Sequence, residues 1–353
     1  MGIYWAIFLV PAIFLVHPVK FDRSLKNSVF FIFGIILLIL IGFRHEVGGD
    51  WFRYVDTAYG IQKGLEFDFS SFYTGDYAYR LVHWISVNYL NGIYSTNLIC
   101  ALFFVVGLIR FCRFMPIPWI ALLVSTPFLI VIVSMGYTRQ AAAIGFLMWG
   151  LIDLINGKKV NFYVLIIIGS FFHLTALIML PIGLLYSIKK VNFFHLFLFL
   201  FTVVFLAIIT YSVLGIIIKH MLYYYITIEF HHSDGAIVRV LMNFFSVIIF
   251  FSFWEKYKRK FTDEKLWLIF SIVSIILLPI SFYYSTFADR VAIYFIPLQL
   301  IILSRVPVLI ESAYNRTIFI LSTMAVYFAT LFVWLFFGNH SSYWLPYQNF
   351  LTI

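Results

Sequence analysis

Val29-Phe30-Phe31-Ile32-Phe33-Gly34-Ile35-Ile36-Leu37-Leu38-Ile39-Leu40-Ile41 carries no polar side chain, and it runs directly into Phe43-Arg44-His45-Glu46-Val47-Gly48-Gly49-Asp50-Trp51-Phe52-Arg53-Tyr54. The first stretch reads as a helix made for hydrocarbon. The second crowds two Arg, a His, a Glu, an Asp, a Gly pair and several aromatics into one short segment. In a chain with only 11% charged residues, that density needs a cause. Ionisable groups at the edge of a membrane are costly and mark a substrate path or a site. Adjacent glycines let a backbone turn tightly or approach a ligand closely. The plain alternative is a juxtamembrane loop whose charges snorkel to water beside an aromatic belt.

Composition extends the membrane reading to the whole chain. Hydrophobic residues make up 63% of the 353, and the mean hydropathy is +1.00. A soluble domain cannot hide that much apolar surface. The expectation is an all-α polytopic membrane protein, one integral unit over residues 1–353. Spans are predicted near 3–18, 28–43, 95–112, 118–134, 139–156, 160–173, 174–188, 192–218, 236–254, 266–284, 290–304 and 317–337, twelve in all. The pair 160–173 and 174–188 is short for full crossings. The segment Ile3 to Val16 reads as a retained span, because no basic region precedes it. Cys100 and Cys112 fall about 18 Å apart along one predicted helix, too far for a bridge.

The loops divide into two sets by charge. Sixteen of the 24 basic residues fall in one set, among them Lys20, Arg110, Arg113, Lys158, Lys256, Arg259 and Arg305. The other eight are Arg44, Arg53, Lys63, Arg80, Arg139, Lys219, Arg239 and Arg290. Nine of the 15 acids accompany the smaller set. The positive-inside tendency makes the larger set cytoplasmic and both termini outer. The eight outer basic residues then run against that tendency, and a negatively charged ligand at the outer mouths of the spans would explain them. The basic residues form no groove or extended patch, so nucleic acid is not an expected partner.

The largest outer loop is 44–94, and a second covers 219–235. Within the first, Tyr73-Thr74-Gly75-Asp76-Tyr77 leads to Arg80-Leu81-Val82-His83-Trp84-Ile85-Ser86-Val87-Asn88-Tyr89-Leu90. Leu81, Ile85 and Tyr89 share a side at helical spacing, which predicts a helix lying in the interface. Glu66 and Asp68 resemble a carboxylate pair but lack further ligands, and no Cys/His metal spacing occurs. No metal or other cofactor is expected. Neither a Walker A sequence nor Gly-x-Ser-x-Gly is present, so neither an ATP-driven pump nor a common serine hydrolase fits.

Four further stretches stand at outer span ends. Gly136-Tyr137-Thr138-Arg139-Gln140 puts a cation at a helix N-terminus, where the dipole already favours an anion. Ala141 and Gly145 beyond it allow a close helix neighbour. Phe172-His173-Leu174-Thr175 offers an imidazole near Ser170, a base near neutral pH or a packing residue. His231-His232-Ser233-Asp234-Gly235 leads to Arg239 and Asn243, which share a helix face. Ala288-Asp289-Arg290 precedes Tyr294, with Arg290 and Tyr294 on one side and Asp289 turned from them. Arg gathers around phosphate because its planar fork binds it bidentately. Aromatic faces suit sugar rings. Together these features suggest a lipid-linked phosphosugar, with its headgroup outside and its tail in the bilayer.

Arg44-x-x-Val47-Gly48-Gly49-Asp50-Trp51-x-x-Tyr54 resembles a block of the EpsG/Wzy polysaccharide polymerases. Tyr137-Thr138-Arg139-Gln140, Phe172-His173-Leu174-Thr175-Ala176-Leu177 with Pro181, and Asp289-Arg290 with Tyr294 resemble that family's later blocks in the same order. The resemblance implies a GT-C-like, metal-independent glycosyltransferase at the periplasmic face of a bacterial inner membrane. Its substrate would be oligosaccharide repeat units on undecaprenyl pyrophosphate, for O-antigen, capsule or exopolysaccharide. A chain-length-regulating co-polymerase is implied by the family alone. Arg139 and Arg290 would hold the pyrophosphate, with Arg44 and Arg239 in support. Asp50 or His173 would be the base. Gly48 and Gly49 would shape the loop, and Trp51, Tyr54, Tyr137, Gln140, Asp289 and Tyr294 would line the substrate path. Competing readings are a flippase or transporter of lipid-linked saccharide, an O-antigen ligase-like transferase and a membrane acyltransferase. The flippase would need polar groups through both leaflets and often shows repeat symmetry, neither of which the sequence displays.

Overall fold

A computed structural model describes residues 1–17, 22–63, 76–188, 233 and 235–353, with the single positions 197, 201 and 204. The helices in chain order begin with α1 (Gly2–Val16), α2 (Arg23–Gly42), α3 (Trp51–Gln62) and α4 (Tyr77–Tyr89). Then come α5 (Ile93–Phe114), α6 (Pro118–Ser125), α7 (Thr138–Ile155), α8 (Lys159–Phe172) and α9 (Met179–Ser187). The last group is α10 (Ala236–Ser252), α11 (Trp254–Lys260), α12 (Glu264–Tyr283), α13 (Ser285–Phe295), α14 (Pro297–Arg305) and α15 (Ala313–Phe337). A two-residue ladder pairs β1 (Arg44–His45) with β2 (Gln348–Asn349), antiparallel. The chain is an all-α membrane protein.

Among the described residues, 4 helices are long and apolar enough to cross a bilayer alone, and 6 cross if each of two bent pairs counts as one span. The expectation of twelve spans is therefore met only in part. Residues 192–218 lie almost wholly outside the described residues. Others are short: the 14 residues of α8 reach about 21 Å, against about 30 Å of hydrocarbon. A 3-10 turn, Leu174–Ile178, joins α8 to α9.

The centre of the bundle is α6 with its continuation, a π-helical stretch over Thr126–Ser134. Pro127 within it has no amide hydrogen to give, which favours departure from α-helical bonding. Every residue from Pro118 to Ser134 is buried, as an all-round apolar helix must be. α14 lies beside it, equally buried. A polar chain fastens the core from within. Gln299 Nε2 donates to Asn243 Oδ1 at 2.6 Å, Tyr327 Oη donates to Gln299 Oε1 at 2.5 Å, and Asn243 Nδ2 donates to the Ala292 carbonyl at 2.9 Å. These bonds join α10, α13, α14 and α15.

Gly145 does what its spacing predicts. A Cβ there would overlap the Phe103 backbone, and one on Gly107 would overlap the Gly145 carbonyl, so α5 and α7 cross in backbone contact. Cys100 and Cys112 are both free and buried in α5.

Each ion pair among the described residues that joins two charged loops stays within one of the two charge sets. Arg110–Asp153 (2.8 Å), Lys256–Glu311 (3.1 Å) and Arg305–Asp263 (2.6 Å) belong to the more basic set. Arg139–Asp76 (2.7 Å) and Arg239–Asp289 belong to the other. The C-terminal segment folds back over the second set. Trp344 is buried there, its Nε1 donating to the Val131 carbonyl at 2.9 Å, and its own carbonyl accepts from Tyr4 Oη at 2.6 Å.

The loop 44–94 contains two helices, α3 and α4. On α4 the apolar residues Leu81, Ile85 and Tyr89 are exposed, while Tyr79, His83 and Ser86 face the protein. Glu66, Asp68, His231, His232 and Asp234 fall outside the described residues, as does most of 219–235.

Candidate active site

The loop after α2 is fixed before it can bind anything. Glu46 has φ 51° and Gly48 φ 105°. A Cβ at Gly48 would overlap the Met135 carbonyl, so only glycine lets the loop lie against the turn before α7. The Gly48 amide donates to the Tyr343 carbonyl at 2.8 Å. Gly49 borders open space.

Arg44 does not reach a ligand. Its donors are spent on the Ile41 carbonyl (2.7 Å), the Val47 carbonyl (3.2 Å), Asn97 Oδ1 (3.2 Å) and Thr138 Oγ1 (2.6 Å), and it is 1% exposed. A support role in anion binding gives way to that of a brace between α2, α5 and α7. Trp51 is likewise inside, packed between His45 and Tyr94.

The remaining expected residues converge at this end of the bundle. Asp50 heads α3, and its Oδ2 accepts from Tyr54 Oη at 3.2 Å. Burial pushes the Tyr54 phenol up to about 12, Asp50 adding to the rise and Arg139 opposing it, so the phenol is neutral. Arg139, at the start of α7, lies over the rings of Tyr54 and Tyr79 at 5.9 and 5.7 Å. Its Nη1 donates to Asp76 Oδ2 at 2.7 Å.

Asp76 is the residue that sequence reading missed. It is 6% exposed, sits at φ 60°, and its other oxygen accepts from the Leu174 amide at 3.2 Å. His173 Nδ1 stands 3.5 Å from that same oxygen. Burial raises the Asp76 carboxyl, but His173, Arg139 and the Leu174 amide outweigh it and hold the group below the ordinary carboxylate value. The one signal in the sequence was an acid beside Gly75 within an aromatic stretch.

Gln140, which follows Arg139 on α7, binds Arg290 twice. Its Nε2 donates to the Arg290 carbonyl at 3.1 Å, and its Oε1 accepts from Arg290 Nη1 at 3.4 Å. Arg290 lies 4.6 Å over the Tyr137 ring and, among the described residues, has no carboxylate partner. Tyr294 Oη accepts from Thr175 Oγ1 at 2.9 Å, beside Asp76 and Arg290. Asp289 turns the other way, as the helix geometry predicts. It takes Arg239 bidentately, Nη2 to Oδ2 at 2.6 Å and Nε to Oδ1, with Ser233 Oγ donating at 3.1 Å. Arg239 is thus neutralised by its own partner. It also stands at one end of a cleft of about 530 Å³ between α10, the π-helical stretch and α15, floored by Phe128 and Ile132.

Such a grouping, with one carboxylate-free arginine, a second arginine paired with Asp76, an imidazole and tyrosine faces, has the chemistry to receive an anionic group. Among the described residues no cluster of three His, Cys, Asp or Glu could hold a metal ion. A family model matches residues 27–349, and its description is the EpsG family. The chain belongs to the EpsG family. EpsG proteins are Wzy-like polysaccharide polymerases. The EpsG match takes in every site residue named above and leaves out only α1 and the two ends of the chain. No curated protein and no solved structure matches the chain significantly.

Proposed function

We propose that this EpsG protein polymerises oligosaccharide repeat units carried on undecaprenyl pyrophosphate at the periplasmic face of the inner membrane. The observation that carries the reading is Arg290. It is a half-buried arginine on the Tyr137 ring, held by Gln140 of α7, with no carboxylate to neutralise it among the described residues. A fixed cation without a counter-charge is costly beside a membrane unless an anion occupies the site. A pyrophosphate leaving group gains charge as its bond to the sugar breaks, and preoriented guanidinium groups stabilise that charge in the transition state.

In this reading Arg290 and Arg139 hold the pyrophosphate. Asp50 or His173 takes the proton of the attacking hydroxyl. Tyr54, Tyr137 and Tyr294 line the sugar path, Gly48 and Gly49 shape the loop, and Asp289 aims Arg239 at the apolar cleft. The leaving group already activates the sugar, so neither nucleotide nor metal is required. In this reading the fold is GT-C-like with twelve spans, and the more basic loops are cytoplasmic. A chain-length-regulating co-polymerase is the partner this reading expects.

The test is polymerisation by the purified protein in nanodiscs, given the host's undecaprenyl-pyrophosphate repeat unit with EDTA and no nucleotide. A ladder of glycan lengths supports the reading. Single repeats left intact by folded protein overturn it. Movement of that lipid across liposomes would then favour a flippase.

A further inference from the structure

Two groups compete for the proton of the attacking hydroxyl, and the surroundings of Asp76 separate them. His173 Nδ1 is buried and has no hydrogen-bond partner other than the carboxylate 3.5 Å away. The side chain is 21% exposed, and Nδ1 has no share in that exposure. Catalytic hydrogen bonds are often long before substrate binds and tighten in the complex. Asp76 also grips the backbone after His173 through the Leu174 amide, and it holds Arg139 with its second oxygen. One carboxylate therefore fixes both the imidazole and the arginine expected at the pyrophosphate. Its backbone lies in the left-handed region, which aspartate tolerates better than most residues. Asp50 has no comparable setting. It accepts from Tyr54 and sits at the open end of α3.

We propose that Asp76 is the positioning residue that makes His173, and not Asp50, the proton acceptor. The proposal rests on the polymerase reading above. Asp76 takes the Nδ1 hydrogen, which leaves the Nε2 lone pair toward the substrate. The acceptor sugar's O–H gives its proton to Nε2 as its oxygen bonds to the anomeric carbon of the donor. The bond from that carbon to the phosphate oxygen breaks, and its electron pair leaves with undecaprenyl pyrophosphate. The proton on Nε2 then passes to water. Asp76 is the charged group beside the imidazole, and around Asp76 in turn stand Arg80 on α4, Arg139 on α7 and Tyr294 on α13, with Arg290 next to Tyr294.

The first readout needs no turnover. Side-chain ¹⁵N spectra of histidine-labelled protein, with His173 assigned by its loss in His173→Gln, are expected to show the Nδ1–H form in the wild type. The Nε2–H form in folded wild-type protein would overturn the proposal, and this holds whether or not the protein polymerises. The second readout is the pH–rate profile of repeat addition. Asp76→Asn is expected to lower kcat about 10²- to 10³-fold, with KM changed less than about 3-fold, and to move the acid limb to lower pH. Asp76→Glu recovers part of the rate, and Asp50→Asn keeps the limb where the wild type has it. A limb unmoved in Asp76→Asn, or one abolished in Asp50→Asn, sinks the assignment. A wild type that makes no ladder while showing the Nδ1–H form fails the polymerase reading and leaves the Asp76–His173 pairing standing.

Discussion

Arg44 spends its donors on Ile41, Val47, Asn97 and Thr138, whereas Arg290 spends one on Gln140 and rests on Tyr137. The two should fail differently. Arg290→Lys keeps the charge but loses the fork, so turnover is expected to fall about 10²-fold while the melting curve in detergent stays near wild type. Arg44→Lys leaves buried acceptors unmet, at about 1–3 kcal/mol for each, so it lowers the melting temperature. The opposite pattern would exchange their roles. His83 offers a pH test. Burial takes it from 6.5 to about 4, the Tyr54 backbone opposing slightly, and Nδ1 meets Thr96 Oγ1 at 3.0 Å. Between those values the unfolded chain binds the extra proton, so stability falls as pH drops from 6.5 to 4, by about 3 kcal/mol. Asp76, held low, adds its own loss only below 3.8. Melting curves of wild type and His83→Phe across pH 7.5 to 4 check this: the variant should lack the decline between 6.5 and 4. Arg139, His173 and Asp289-Arg290 were legible because charge at a span end is rare. Asp76 was not. Its meaning lies in partners 63 and 98 positions away, and an acid in an acid-bearing loop has no period to mark it.

At the scale of elements, the 43–54 stretch was legible as a special loop, but its two glycines were not distinguishable. The structure separates them. Gly48→Ala meets the Met135 carbonyl at a φ of 105° and should unseat the loop, lowering the melting temperature, while Gly49→Ala, facing open space, should melt like wild type. Equal destabilisation by both would contradict this packing. The period of α4 was legible too. Which side meets the protein was not, because lipid and core are both apolar solvents for Leu81, Ile85 and Tyr89. The cleft between α10 and α15 was invisible to sequence for the same reason, since its walls read like any span. If it takes the isoprenoid tail, Thr330→Trp fills it. KM for the full-length carrier should then rise about tenfold, with little change for a short-prenyl analogue. An equal rise for both substrates would place the tail elsewhere.

The molecule as a whole has two polar ends of different make. At one, Arg110, Lys256 and Arg305 each meet an acid, and Lys265 caps the Tyr186 carbonyl at 3.2 Å. At the other, Arg139 and Arg239 also meet an acid each, and the difference is Arg290, which lies over the Tyr137 ring with no carboxylate among the described residues. Charge counts foretold the division, because each loop is short enough to belong to one side. They could not foretell that the C-terminal segment returns over the site, since nothing in Tyr343-Trp344 announces that Trp344 reaches Val131 or that Tyr343 takes the Gly48 amide. Orientation is the remaining step, and the two buried native thiols make it measurable. Lys258, of the more basic set, and Ser342, next to the Tyr343 that holds the Gly48 loop, are both exposed. If the more basic end is cytoplasmic, a membrane-impermeant maleimide added to intact spheroplasts should label Ser342→Cys and spare Lys258→Cys until the membrane is opened. The reverse labelling would put the arginine site in the cytoplasm. A lipid-linked repeat unit would then have to be polymerised before it crossed the membrane, and the periplasmic half of the proposed function would fall with it.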